Sequence, residues 1–296
     1  MVAAAYLQGA STAPPPAVPD TPARRLRDAL EPLATHGWWC RPVHDRLAPQ
    51  GLDFLGTYVW GRAASLGEPV AAVVVSAFGV FEPGFLVSVY DAARARVSRD
   101  EVLAARAAGV EASLGTILDE GDADIASVVE PLAAAIARLD SAARPLFSGL
   151  RALPWPGTAV GRLWRAAELV REHRGDGHLA ACAGADLDAA AMNVLTELWL
   201  GMPLGSYTAT RGFGPAAIDA ATASLRERGW MLDGELTLSG RDARLAIEAT
   251  TDATQESLVR ALGGGIEAVI AAAGRLSAQV VAAGVFPSDP RKRAAG

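Results

Sequence analysis

Asp233–Gly234, in the stretch MLDGELTLSG, is a strong hairpin signal inside a chain whose other periodic stretches read as helix. A two-residue Asp-Gly loop takes positive φ at both positions, and its twist matches that of paired antiparallel strands. Upstream, LAACAGADLDAAAMNVL reads as helix, tight turn at Ala185–Asp186, helix. GPAAIDAATASLRERGW is a further helix, with Pro215 near its first turn and Gly229 as a left-handed C-cap. RDARLAIEATTDATQESLVRAL then returns to helical period. Three helices, a small hairpin and a helix is the order of a winged helix-turn-helix.

The rest of the chain is also read as helical. Thr21 before Pro22 offers a capping hydroxyl and a first-turn proline. Ser98 and Glu101 have capping-box spacing, and another helix is expected over 123–140 with Pro131 as a kink or late start. The run RPLFSGLRALPWPGT, residues 144–158, carries too many prolines and glycines to continue a helix, yet Leu153 and Trp155 want burial. The expected fold is therefore mainly α. An arm covers 1–20, an N-terminal helical domain 21–143, a packed Pro-rich connector 144–158, a C-terminal winged helix-turn-helix domain 159–285 and a basic tail 286–296. Signals in the two halves follow a similar order: LATHGWWCRPVHDRL, GLD and FEPGFLVSV against LVREHRGDGHLAA, DLD and FGPAAIDAA. A tandem pair of winged-helix-like halves, the first degenerate, fits that order.

LRERGWMLDGELTLSGRDARLAIEATTD resembles the recognition-helix end, wing and following helix of MarR-like regulators. GRAASLG (61–67), RPLFSGLRALPWP (144–156), LWRAAELVREHRGDGH (163–178), RGF (211–213) and IEATTD (247–252) together resemble the SalK-like helix-turn-helix family of GC-rich bacteria. The likeness runs from about residue 25 to 260, and Ser65 departs from it where proline is expected. It implies a fold and imports no activity.

Among the 296 residues the formal net charge is −6, and Lys292 is the only lysine. An acidic total argues against extensive phosphate contact, although a local basic face remains compatible with it. Cys40 and Cys182 fit no CxxC motif or disulfide framework and are expected to be small buried hydrophobes. VAAAYL lacks a basic n-region, and the apolar run Pro69–Phe81 is too short to span a bilayer, so a cytoplasmic protein is expected. GFGPAA lacks strand–helix alternation around it, GGGIEA lacks the Lys–Ser/Thr of a phosphate loop, and there is no GxSxG elbow.

REHRGDGH, residues 171–178, carries two of the four histidines. On a helix Arg174 and His178 share a face, whereas His173 and His178 lie about 140° apart, too far for side-by-side chelation. The HExxH pattern is absent, and neither a metal site nor a cofactor is expected. Two readings stay open. In one, Arg174 pairs with an acid, Asp176 caps a helix and His178 bonds a carbonyl, as a buried polar network. In the other, these groups line a ligand pocket at the joint of the halves, together with Arg62, Trp164, Glu172, His173 and Glu197. Glu197 is expected either to ion-pair with Arg174 or to face solvent, and Arg62 or His36 to reach the pocket from the first half. Arg211, Arg226 and Arg228 are the candidate DNA contacts, but AAIDAATAS in the middle of the presumed recognition helix has few groups that bond base edges. A MarR-like, ligand-responsive DNA-binding regulator is the leading expectation. The alternative is an enzyme or small-molecule-binding protein that reuses the scaffold without binding DNA. DNA, a small molecule and a second copy of the chain are the candidate partners; a membrane is not.

Overall fold

The computed structural model of the protein describes residues 18–287. Most of the N-terminal arm and of the basic tail, with Lys292, lies outside them. The first eight helices are α1 (Pro22–Trp39), α2 (Arg41–Leu47), α3 (Phe54–Ala63), α4 (Ala71–Phe78), α5 (Pro83–Arg94), α6 (Arg99–Leu114), α7 (Ala123–Ile136) and α8 (Pro145–Arg151). After them come α9 (Ala159–Gly184), α10 (Ala189–Leu200), α11 (Pro215–Glu227), the strands β1 (Met231–Leu232) and β2 (Glu235–Leu236), then α12 (Leu238–Ala253), α13 (Glu256–Leu262) and α14 (Ile266–Ala282). The protein is mainly helical, with one two-stranded antiparallel sheet among the described residues.

Local chemistry sets the element ends. The Thr21 hydroxyl accepts from the Arg24 N–H, and Ser98 with Glu101 closes a full capping box on α6. Asp53 and Asp188 cap α3 and α10 in the same way, each accepting from the N–H three residues on. Asp186 turns the chain between α9 and α10 at φ 56°. Asp233 and Gly234, at φ 50° and 85°, pair Leu232 with Glu235 across the hairpin. Between α5 and α6 only residues 95–98 intervene, which leaves no room for a comparable hairpin.

Two apolar cores form. The larger takes residues from α1 to the first half of α9, then Leu258 and the α14 stripe Val269, Ala272, Ala273, Leu276 and Val280. The smaller joins Ala181 and Cys182 to Leu195, Trp199, Leu225, Met231, Leu236 and Ile247. Segment 254–285, grouped from the sequence with the C-terminal unit, thus sends its apolar stripe back to the first core, where α14 packs on α1 and α7. By length and composition alone the stretch Glu256–Ala282 could cross a membrane. Within 144–158, where the sequence suggested a break, seven residues form a helix: α8 buries Leu146, Phe147 and Leu150 against α9. Gly149 lies so close to the Ser65 carbonyl oxygen that an added Cβ would stand 2.5 Å from it, so the GRAASLG and RPLFSGLRALPWP blocks meet.

At 26 residues α9 is about 39 Å long and crosses from one core to the other. Its apolar residues up to Val170 belong to the first core, and Ala181 and Cys182 to the second. REHRGDGH occupies the interval between them.

Candidate functional site

Arg62 of α3 and Glu172 of α9 form a bidentate pair, Nε to Oε1 at 3.0 Å and Nη2 to Oε2 at 2.9 Å. Nη1 of Arg62 donates to the Tyr58 hydroxyl at 2.7 Å, and the guanidinium stands 4.7 Å from the Phe78 ring centroid and 5.3 Å from that of Trp38. Burial by itself would raise the Glu172 carboxyl, but the Arg62 and Arg171 charges hold it below its ordinary value. With both sides of the fork taken, Arg62 is a strut between α3 and α9 and is absent from the cleft described below.

A second network joins α1, α9 and α12. Arg24 meets Glu248 at 2.5 Å and Asp252 at 3.2 Å, Arg174 meets Asp252 at 2.9 Å and Glu248 at 3.4 Å, and Arg244 meets Glu248 at 2.7 Å. These side chains are nearly all buried. Burial opposes ionisation of Glu248, yet the charges around it drive its carboxyl far below the usual carboxylate range. Arg24, Arg244, Glu248 and Asp252 are not singled out by sequence reasoning. One local signal was available: residues 244, 248 and 252 recur every fourth position, on one face of α12.

His36, His173 and His178 are held neutral. His173 donates from Nδ1 to Gln255 Oε1 at 2.9 Å, and burial lowers its pKa to about 4. His178 Nδ1 lies 3.0 Å from Thr251 Oγ1, whose own hydrogen goes to the Ile247 carbonyl. Nδ1 must then be the donor, leaving Nε2 to accept from the Cys182 thiol at 3.6 Å. Burial lowers His178 to about 3. Asp176 accepts from the Phe147 N–H at 3.0 Å, so it caps the neighbouring helix α8, and burial raises its pKa to about 7. His36 bonds Ser113 at 2.9 Å, away from REHRGDGH, and burial lowers it to about 4.

Glu197 neither pairs with Arg174 nor faces solvent. Fully buried, it accepts from the N–H groups of Gly205, Tyr207 and Thr208, and so folds the long connection between α10 and α11 onto α10. That connection docks on the first half: the Arg211 carbonyl accepts from the Glu82 N–H at 2.8 Å, and the Arg211 guanidinium stacks on Phe81 and Tyr207. Trp164 is buried beside Arg106 and Gly37, within the first core. Arg228 bonds the Ala185 and Asp186 carbonyls and pairs with the Asp186 carboxylate, tying the end of α11 to the α9–α10 turn. Of the three candidate DNA-contacting arginines, Arg226 is the exposed one. Around it Asp219, Ala220, Ala223 and Glu227 on α11, Leu232, Asp233 and Glu235 on the hairpin, and Arg241 in the first turn of α12 are exposed.

A cleft of about 100 Å³ opens in the second network, between α1, α9, α10 and α12. Arg174 and His178 line it, as does Arg171; Asp176, His173, Glu172 and Glu197 do not. From the first half Arg27, Leu30 and Glu31 reach it, in place of the Arg62 or His36 expected from the sequence. Among the described residues no group of three His, Cys, Asp or Glu side chains could hold a metal ion.

The model of a helix-turn-helix family matches residues 23–287. No curated protein and no solved structure matches. Membership of such a family suggests a DNA-binding protein. Over nearly all of its described length, the chain belongs to this helix-turn-helix family.

Proposed function

We propose that the protein is a ligand-responsive, DNA-binding regulator of the SalK-like and MarR-like kind, acting in the cytoplasm. In this reading α9 to α12 with the hairpin form a winged helix, and REHRGDGH belongs to the joint that senses a small molecule. The position of the cleft carries the reading. Its walls come from α1 in one core and from α10 and α12 in or beside the other. A ligand seated there has a different contact energy for each placement of α12 against α1, which is what a population shift requires.

Arg226, exposed at the end of α11 beside the hairpin, is the DNA-facing cation in this reading. Wild-type protein is expected to retard genomic duplex fragments at low salt, and Arg226→Ala to weaken binding and reduce the slope of log affinity against log salt by about 1. A salt titration of duplex affinity measures both. The exposed acids Asp219, Glu227, Asp233 and Glu235 favour a second reading, a small-molecule-binding protein on a scaffold that no longer contacts DNA. Absence of wild-type retardation at low salt would decide for it.

A further inference from the structure

We infer that the cleft between α1, α9, α10 and α12 binds a small organic carboxylate, its carboxyl on Arg174 and Arg244 and its short apolar body on Leu30 and Val170. This rests on the ligand-sensing part of the proposed function and names the class of ligand.

Charge points to an anion. Four guanidiniums, those of Arg27, Arg171, Arg174 and Arg244, line the cleft against two carboxylates, Glu31 and Glu248. Just behind the wall, Arg24 and Asp252 pair with each other at 3.2 Å and add no excess of either sign, while Asp28, paired with Arg27 at 2.5 Å, leaves an excess of one positive charge. His178, held neutral, adds none either.

Unmet hydrogen-bonding capacity points the same way, independently. The Nε atoms of Arg174 and Arg244 are buried and have no hydrogen-bond partner among the described residues. Their side chains are only 11% and 9% exposed, so bulk water is a poor substitute. A buried guanidinium N–H without an acceptor is costly, and a carboxylate oxygen is the acceptor its geometry suits. Both side chains line the cleft, but their Nε atoms are closed off from it, so a carboxylate seated there reaches them only if the guanidiniums turn.

Size and lining select an organic anion over a bare inorganic one. About 100 Å³ admits roughly half a dozen non-hydrogen atoms. Leu30 and Val170 give that space an apolar side, which would be left unused by phosphate. A three- or four-carbon carboxylate uses both sides.

The test is calorimetric titration of the full chain with butyrate, with butyramide and inorganic phosphate as comparison probes. Butyrate is expected to bind, and butyramide, of the same shape but uncharged, to bind at least about ten-fold more weakly. Arg244→Gln should abolish butyrate binding, but it also removes a partner of Glu248 and can disturb the fold. Gly175→Leu is the second variant. Gly175 lines the cleft, and a Cβ added there meets nothing closer than Glu172 Oε2 at 3.8 Å, so the first atom of a leucine clashes with nothing. The variant should leave the circular dichroism spectrum unchanged and abolish butyrate binding. No butyrate binding, equal binding of butyramide, tighter binding of phosphate, or butyrate binding that survives Gly175→Leu would each overturn the inference. Failure of the regulator reading is distinguishable: butyrate then binds as expected while duplex fragments are not retarded.

Discussion

Arg62→Ala is expected to lower the unfolding free energy by about 3–5 kcal/mol, and Glu172→Ala by a similar amount. The two side chains are only 9% and 4% exposed, so Glu172→Ala leaves the Arg62 charge buried without its counter-charge, and Arg62→Ala leaves Glu172 only Arg171, at 3.5 Å. Arg62→Ala also removes the group packed between Trp38, Tyr58 and Phe78. The pair as a whole is worth far less than either half, because its mutual attraction is offset by the desolvation of two ions. Arg62→Met combined with Glu172→Leu should therefore recover most of the loss. Urea unfolding midpoints of the four proteins measure this, and single variants within about 1 kcal/mol of wild type would show that the pair is not the strut described.

Acid is expected to unfold the protein well above the range in which surface carboxylates titrate. His36, His173 and His178 have folded pKa values of about 4, 4 and 3, against 6.5 when free. A depressed pKa means that the unfolded chain binds the proton first, so their stabilisation is complete above about pH 6.5 and is lost as pH falls toward 4. Asp176 has the opposite sign. Raised to about 7 from 3.8, it binds a proton first in the folded state, and its contribution is lost as pH rises through 7. Near pH 5.5 the three histidines outweigh it by roughly two protons, a fall on the order of 2 kcal/mol per pH unit of acidification. Below about pH 4.5 the depressed carboxyls of Glu172 and Glu248 add to the loss. Asp176→Asn removes the opposing group while keeping an acceptor for the Phe147 N–H, so its stability should fall more steeply below pH 6.5 than that of wild type. Unfolding midpoints from pH 8 to 4.5 give both slopes; a wild-type profile flat between 6.5 and 5 would contradict the neutral burial of the histidines.

What could be read from the sequence is what local chemistry decides. Thr21 and Ser98 cap helices because their hydroxyls meet N–H groups three residues away, and Asp233–Gly234 makes a hairpin because its own backbone does. REHRGDGH lies between the two apolar cores, and its charges interrupt the apolar period of α9 there. Partners across the fold were not legible. Arg24 and Asp252 lie 228 positions apart, and nothing in either helix names the other. Arg211 and Arg228 carry the same charge whether they reach out to a phosphate or fold back onto Phe81 and Asp186, as they do. Glu197 looked like a solvent-facing or ion-paired residue because its true partners are backbone N–H groups, which every residue but proline supplies and no sequence pattern marks.

The most direct measurement of ligand-responsive DNA binding is the fluorescence anisotropy of a labelled genomic duplex titrated with the protein at low salt, with and without saturating butyrate. Binding is expected in its absence, with an affinity that falls as salt rises, and a shift in apparent Kd is expected in its presence. A butyrate that binds calorimetrically yet leaves the duplex isotherm unmoved would contradict the coupling of cleft to helix-turn-helix.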